Sequence, residues 1–108
     1  MNYFEIKPNG EAYIRTDSGT IIRKVGNGEA VNHAEFNSDE SLFVICYNSG
    51  KCEMRDRKNN LVKVVAEKDV KEAYFRLRSK DKSRKLRQHK EEVILLIMND
   101  GSSEEYLI

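Results

Sequence analysis

The stretch AEFNSDESLFVICYNSGKCEMRD, residues 34–56, reads as two strands around a tight turn. Phe43-Val44-Ile45 is β-branched or aromatic, and the run it belongs to has strand length. The loop Asn48-Ser49-Gly50 ends in glycine, the residue that takes a left-handed backbone without a Cβ clash. Polar residues near that glycine can bond their own backbone and start the turn. Residues 34–56 therefore fold as a hairpin, and similar wording elsewhere in the chain makes it one copy of several.

Near the N-terminus, IKPNGEAYIRTDSG repeats the order of apolar residue, polar turn, apolar run and glycine turn. Ile6 aligns with Phe36 and Gly19 with Gly50, and a single insertion reconciles the two separations. A partial third copy, VILLIM followed by Asn99-Asp100-Gly101, closes the sequence. Strands are expected near 3–6, 12–16, 20–25, 30–36, 42–47, 51–56, 61–66, 93–98 and 103–107. The repeat-like units are 3–31, 32–68 and 69–108 within a single domain, 1–108. An ordinary antiparallel meander with look-alike turns is the alternative.

From Asp69 the pattern changes. Asp69 with Glu72 three residues on has the form of a capping box. Val70, Ala73, Tyr74 and Leu77 then share one face at helical spacing. The spacing predicts a helix here, although Ala73-Tyr74-Phe75 occupies the place of Ala34-Glu35-Phe36 in the repeat. The fold class expected is mainly β: an antiparallel meander of about three blade-like units with an inserted basic, partly helical segment at 76–90.

Composition sets the outer limits. The chain has 108 residues, 39% apolar and 34% charged, with one proline, which suits a globular domain rather than a disordered one. Its longest apolar run, Val93 to Met98, is far too short to span a bilayer, and the first residues lack the form of a secretory leader. Two cysteines are too few for a disulfide scaffold, so a cytoplasmic location is expected, with no membrane partner. The net charge of +1 hides an asymmetry. Residues 76–90 hold eight Lys/Arg and one acid, a balance of +7, which leaves −6 for the rest of the chain.

The segment AEFNSDESLFVICYNSGKCEMRD resembles a repeat of the WD-repeat β-propellers. Phe36-Asn37-Ser38-Asp39-Glu40 is similar to the turn after a blade's first strand, and Asn48-Ser49-Gly50 to the turn between its second and third. Asp56 falls where that repeat's closing aspartate stands. Phe4 to about Val25 matches more weakly, and the third copy only from Val93. The chain departs from the family in having no tryptophan: Lys24 and Arg55 stand at the expected positions, and only Tyr106 keeps an aromatic. The Gly-His pair that opens the family's repeat is also missing. The resemblance implies blade-like sheets and a role in binding other macromolecules.

Few residues suggest chemistry. Cys46 and Cys52 flank one turn and face each other across it, which reads as a pair of buried reduced thiols before a redox pair. His33 and His89 lack an evident orienting partner for base catalysis. Gly26-Asn27-Gly28 joins two strands and opens no helix, so it is not a phosphate loop. No catalytic, cofactor or metal residues are expected. The expected function is a non-catalytic protein-interaction module. The alternative is nucleic-acid binding through Arg76, Arg78, Lys80, Lys82, Arg84, Lys85, Arg87 and Lys90, whose charge can neutralise phosphates but has no aromatic interleaved for base stacking. Open strand edges in an array of three units further predict a homo-oligomer, most simply a two-fold dimer.

Overall fold

The run Leu42–Tyr47 has almost no polar residue because both of its faces are buried. Phe43, Ile45 and Tyr47 point to one side, where they meet Ala12, Ile14, Val25 and Val31. Val44 and Cys46 point to the other, against Val70, Phe75, Ile94 and Leu96. A strand buried twice loses the apolar–polar alternation of a half-buried one. Full burial of a side chain such as Phe43, which has no exposed surface, contributes roughly 1.5–3 kcal/mol.

The computed structural model describes residues 1–79 and 90–108. The first sheet is β1 (Tyr3–Ile6), β2 (Ala12–Arg15) and β3 (Ile21–Val25). The second is β4 (Val31–Phe36), β5 (Leu42–Tyr47), β6 (Cys52–Asp56) and β7 (Leu61–Ala66). The third is β8 (Val70–Ser79), β9 (Lys90–Met98) and β10 (Ser103–Leu107), paired in the order β10-β9-β8. Each sheet is an antiparallel meander. The middle sheet shares one apolar cluster with the first and another with the third.

Hydrogen bonds fix the register of the repeat. Lys7 N–H donates to Glu11 O and Gly10 N–H to Lys7 O; Tyr47–Lys51 with Gly50, and Met98–Ser102 with Gly101, make the same two bonds. Gly10, Gly50 and Gly101 have φ of 89°, 93° and 89°. Gly50 therefore corresponds to Gly10 and not to Gly19. The turn of Gly19 corresponds to that of Asn59: Thr16 N–H bonds Thr20 O and Asp56 N–H bonds Asn60 O. In this register β1, β5 and β9 are equivalent, as are β2, β6 and β10. Arg15, Arg55 and Tyr106 share one position, so Arg15 rather than Lys24 stands beside Arg55.

The helix expected from Asp69 is a strand. Asp69 has φ of 71°, and Val70 N–H donates to Gly50 O, so the chain is clamped to the previous turn. A register shift between Val70 and Glu72 then places Val70 and Ala73 on the same buried face. The bulge turns a period of two into a spacing of three, which imitates a helical turn. Leu77, the last residue of the supposed apolar face, is 67% exposed. β4 has the same shift between Val31 and His33. Val31, Ala34 and Phe36 of β4 thus match Val70, Ala73 and Phe75 of β8. The part of the insertion at 80–89 lies outside the described residues.

Candidate interaction surface at the strand edges

β4 and β8 are the edge strands that open the second and third sheets and are termed inner, as β3 and β7, the edge strands that close the first and second, are termed outer. β4's side chains cover β8's outward-facing backbone. Asn32 Nδ2 donates to Lys71 O at 2.7 Å, and His33 Nε2 lies 3.0 Å from Ala73 O. Phe75 N–H donates to Glu35 Oε1 at 3.1 Å. An edge strand exposes a row of donors and acceptors, and three of β8's are closed in this way. His33 also meets the Tyr74 ring edge-on, with centroids 4.9 Å apart. Its role is to bridge two sheets, which spacing along the chain did not reveal.

β3 and β7 are the outer strands. They open with Ile21-Ile22 and Leu61-Val62, which stand at the same place in successive units, and these four side chains are 43–51% exposed. Leu107 on β10 is exposed too. Single apolar residues at a surface are ordinary, but recurrence at one register of successive units is a patterned surface.

Of the basic residues singled out, Arg76 and Arg78 are described with their side chains. Arg78 lies 2.7 Å from Glu91 and 2.6 Å from Glu105, bridging β9 and β10. Those carboxylates hold its pKa above the ordinary value, Glu91 foremost. Arg76 Nη1 donates to Phe75 O and lies 3.9 Å from Glu35, with its guanidinium over the Tyr74 ring. Both cations are thus engaged within the protein. Lys80, Lys82, Arg84, Lys85 and Arg87 lie outside the described residues, and of Lys90 only the backbone, in β9, is described.

The interior carries two polar features. Cys46 and Cys52 are direct cross-strand partners with no exposed surface, their sulfurs 3.6 Å apart. The contact with Cys52, then burial, raises the pKa of Cys46, which disfavours a reactive thiolate. Glu53, 2% exposed, lies 2.9 Å from Arg55 Nε and accepts a hydrogen bond from Tyr47 OH. Burial pushes the Glu53 carboxyl up, but Arg55 and Tyr47 outweigh it and hold the pKa below the ordinary value. Tyr47 is pushed up by burial and by Glu53. Arg55 Nη1 also bonds Asn59 O, and Asn59's amide exchanges two hydrogen bonds with the Gly26 backbone. This chain of contacts ties the second sheet to the loop leaving the first.

Among the described residues no group of three or more His, Cys, Asp and Glu could hold a metal ion, and no helix is long and apolar enough to cross a membrane. No protein-family model matches the chain, and no curated protein sequence matches it at a significant level.

Proposed function

We propose that this chain is a non-catalytic protein-interaction module, built of WD-repeat-like blades, that binds partners along its strand edges. The observation that carries the reading is the repeated exposed pair that opens each outer strand, Ile21-Ile22 and Leu61-Val62. Strand edges flanked by apolar side chains suit strand addition, in which main-chain bonds give affinity and side chains give choice. Self-association as a two-fold dimer belongs to the same proposal. It would use β10, where Leu107 and the neighbouring Ile108 are exposed. A cytoplasmic location also belongs to it, resting on a cysteine count too low for a disulfide scaffold.

Titration of the protein with mixed-sequence DNA and RNA at two salt concentrations, followed by light scattering, tests this. The expected result is twice the monomer mass of 12.5 kDa before addition and no change on addition. A complex with nucleic acid that weakens steeply with salt would contradict it, and would assign the function to the 76–90 segment.

A further inference from the structure

The repeat register leaves one strand edge open where its equivalents are closed. β5 is flanked by the inner strand β4, and β9 by the inner strand β8. β1, their equivalent, pairs only with β2. Antiparallel ladders alternate in the direction of their bonds. Because Lys7 is bonded to Glu11, the N–H and C=O groups of Phe4 and Ile6 point away from β2. Those two residues have no backbone partner among the described residues. Their equivalents, Val44 and Cys46, pair with Glu35 and His33 of β4.

The far wall of the same gap is β4. On β8, Lys71 O, Ala73 O and Phe75 N–H are closed by Asn32, His33 and Glu35. The equivalent groups on β4 are Asn32 O, Ala34 O and Phe36 N–H, and no protein group among the described residues bonds them. A strand between β1 and β4 would satisfy both rows, one by ladder bonds and the other by its side chains. A separate cavity of about 480 Å³ lies between the N-terminal residues Met1 and Asn2, the end of β4 at Phe36, and Phe75 of β8. Phe4 stacks on Phe36 at 4.3 Å between ring centroids, so an aromatic row already lines this side.

We propose that the slot between β1 and β4 takes an extended segment of a partner protein with the pattern V-x-x-A-x-F, added as the inner strand of the first sheet. This rests on the interaction-module reading. The pattern is that of both inner strands, Val31-Ala34-Phe36 and Val70-Ala73-Phe75. In the added strand Asn, His and Glu at the places of Asn32, His33 and Glu35 would meet Asn32 O, Ala34 O and Phe36 N–H. Its Phe would lie opposite Tyr3, the equivalent of Phe43. Pro8 marks where pairing stops. Asn48 and Asn99 donate to Ala30 O and Asp69 O at 2.9 Å just before each inner strand, and Pro8, their equivalent, has no N–H to donate. A second copy is a poor donor, because its own V-x-x-A-x-F strands bury Val31, Val70 and Ala73 in its core.

The test is titration of the full chain with the peptide EAVNHAEFNS, the sequence of residues 29–38, read by amide hydrogen exchange. One equivalent should bind saturably and slow exchange at Phe4 and Ile6 by tenfold or more. A peptide with proline at the Glu35 place, where a ladder N–H is required, should bind at least tenfold more weakly. The Ile6→Pro protein should keep its melting behaviour, since that N–H points away from β2, and lose peptide binding. Absence of binding, or binding without slowed exchange at Phe4 and Ile6, overturns the slot. So does protection of those amides in the protein alone that rises with its concentration, which would mean that a second copy fills the gap. Failure of the peptide with no nucleic-acid complex removes the slot and leaves the module reading standing. Failure of the peptide with a salt-dependent nucleic-acid complex removes both.

Discussion

Gly50→Ala should lower stability by about 2–5 kcal/mol in urea unfolding, the sum of a left-handed backbone cost and a steric one. Gly50 has φ of +93°, and a Cβ there would sit 2.5 Å from Asp69 N and 3.3 Å from Asp69 Cα. The clash is with backbone, which cannot rotate away. Gly50 O also accepts the Val70 N–H, so moving the turn pulls at the junction of the second and third sheets. Gly101 supplies the control. Its φ is +89° and nothing lies within 4 Å of its Cβ direction, so Gly101→Ala should cost only the backbone part, about 1–2 kcal/mol. Gly28→Ala, with similarly open space, should behave like Gly101→Ala. Equal losses at Gly50 and Gly101 would contradict the clamp between the Gly50 turn and Asp69.

Arg55→Ala should be as severe at neutral pH. It leaves Glu53 buried with the Tyr47 hydroxyl and with Lys51 Nζ at 3.8 Å. Removing one partner of a buried ion pair costs about 3–5 kcal/mol, because the remaining charge stays out of water. Its pH dependence is distinctive. In the native protein the Glu53 pKa is depressed. Its contribution is therefore fully present above the ordinary carboxyl value of about 4.3 and is lost as pH falls through the lower folded value. In Arg55→Ala burial, the foremost influence on this carboxyl, is opposed only by Tyr47 and Lys51, so its folded pKa rises from the native position. The deficit of the variant should thus shrink as pH is lowered from 7 toward 4. A deficit that is constant over that range would show that Arg55 acts through packing alone.

How much of this was legible in the sequence depends on what each residue's signal was made of. Strand residues and turn glycines are local, so all nine expected strands are present, with boundaries close to those read from the sequence. The repeat register was not local. Glycine serves the left-handed place in both the Gly10 and the Gly19 turns, while in the second unit Asn59, with φ of 70°, replaces one of them. Matching glycine to glycine therefore paired unlike turns. The tenth strand was hidden by a bulge that spaces Val70 and Ala73 like helix neighbours. The inner-edge network of Asn32, His33 and Glu35 depends on residues of the next unit, and each of the three alone reads as an ordinary polar strand residue. Arg15 and Arg55, at one register position where the resemblance expects tryptophan, show a similar exchange. Each spans from a carboxylate, Glu5 or Glu53, to the carbonyl of the turn that follows it. A charged fork closes the hairpin where the resemblance expects an aromatic ring.

The first sheet differs from the other two in lacking an inner strand, and the proposed slot stands on that difference. Hydrogen exchange on the isolated protein at low concentration measures this directly, because amides without a ladder partner exchange far faster than those paired in a core sheet. Phe4 and Ile6 should exchange within the dead time or close to it, while Val44 and Cys46 of β5 and Leu95 and Ile97 of β9 should be strongly protected. Protection at Phe4 and Ile6 equal to that of their counterparts would contradict the account, since the edge on which it rests would already be closed.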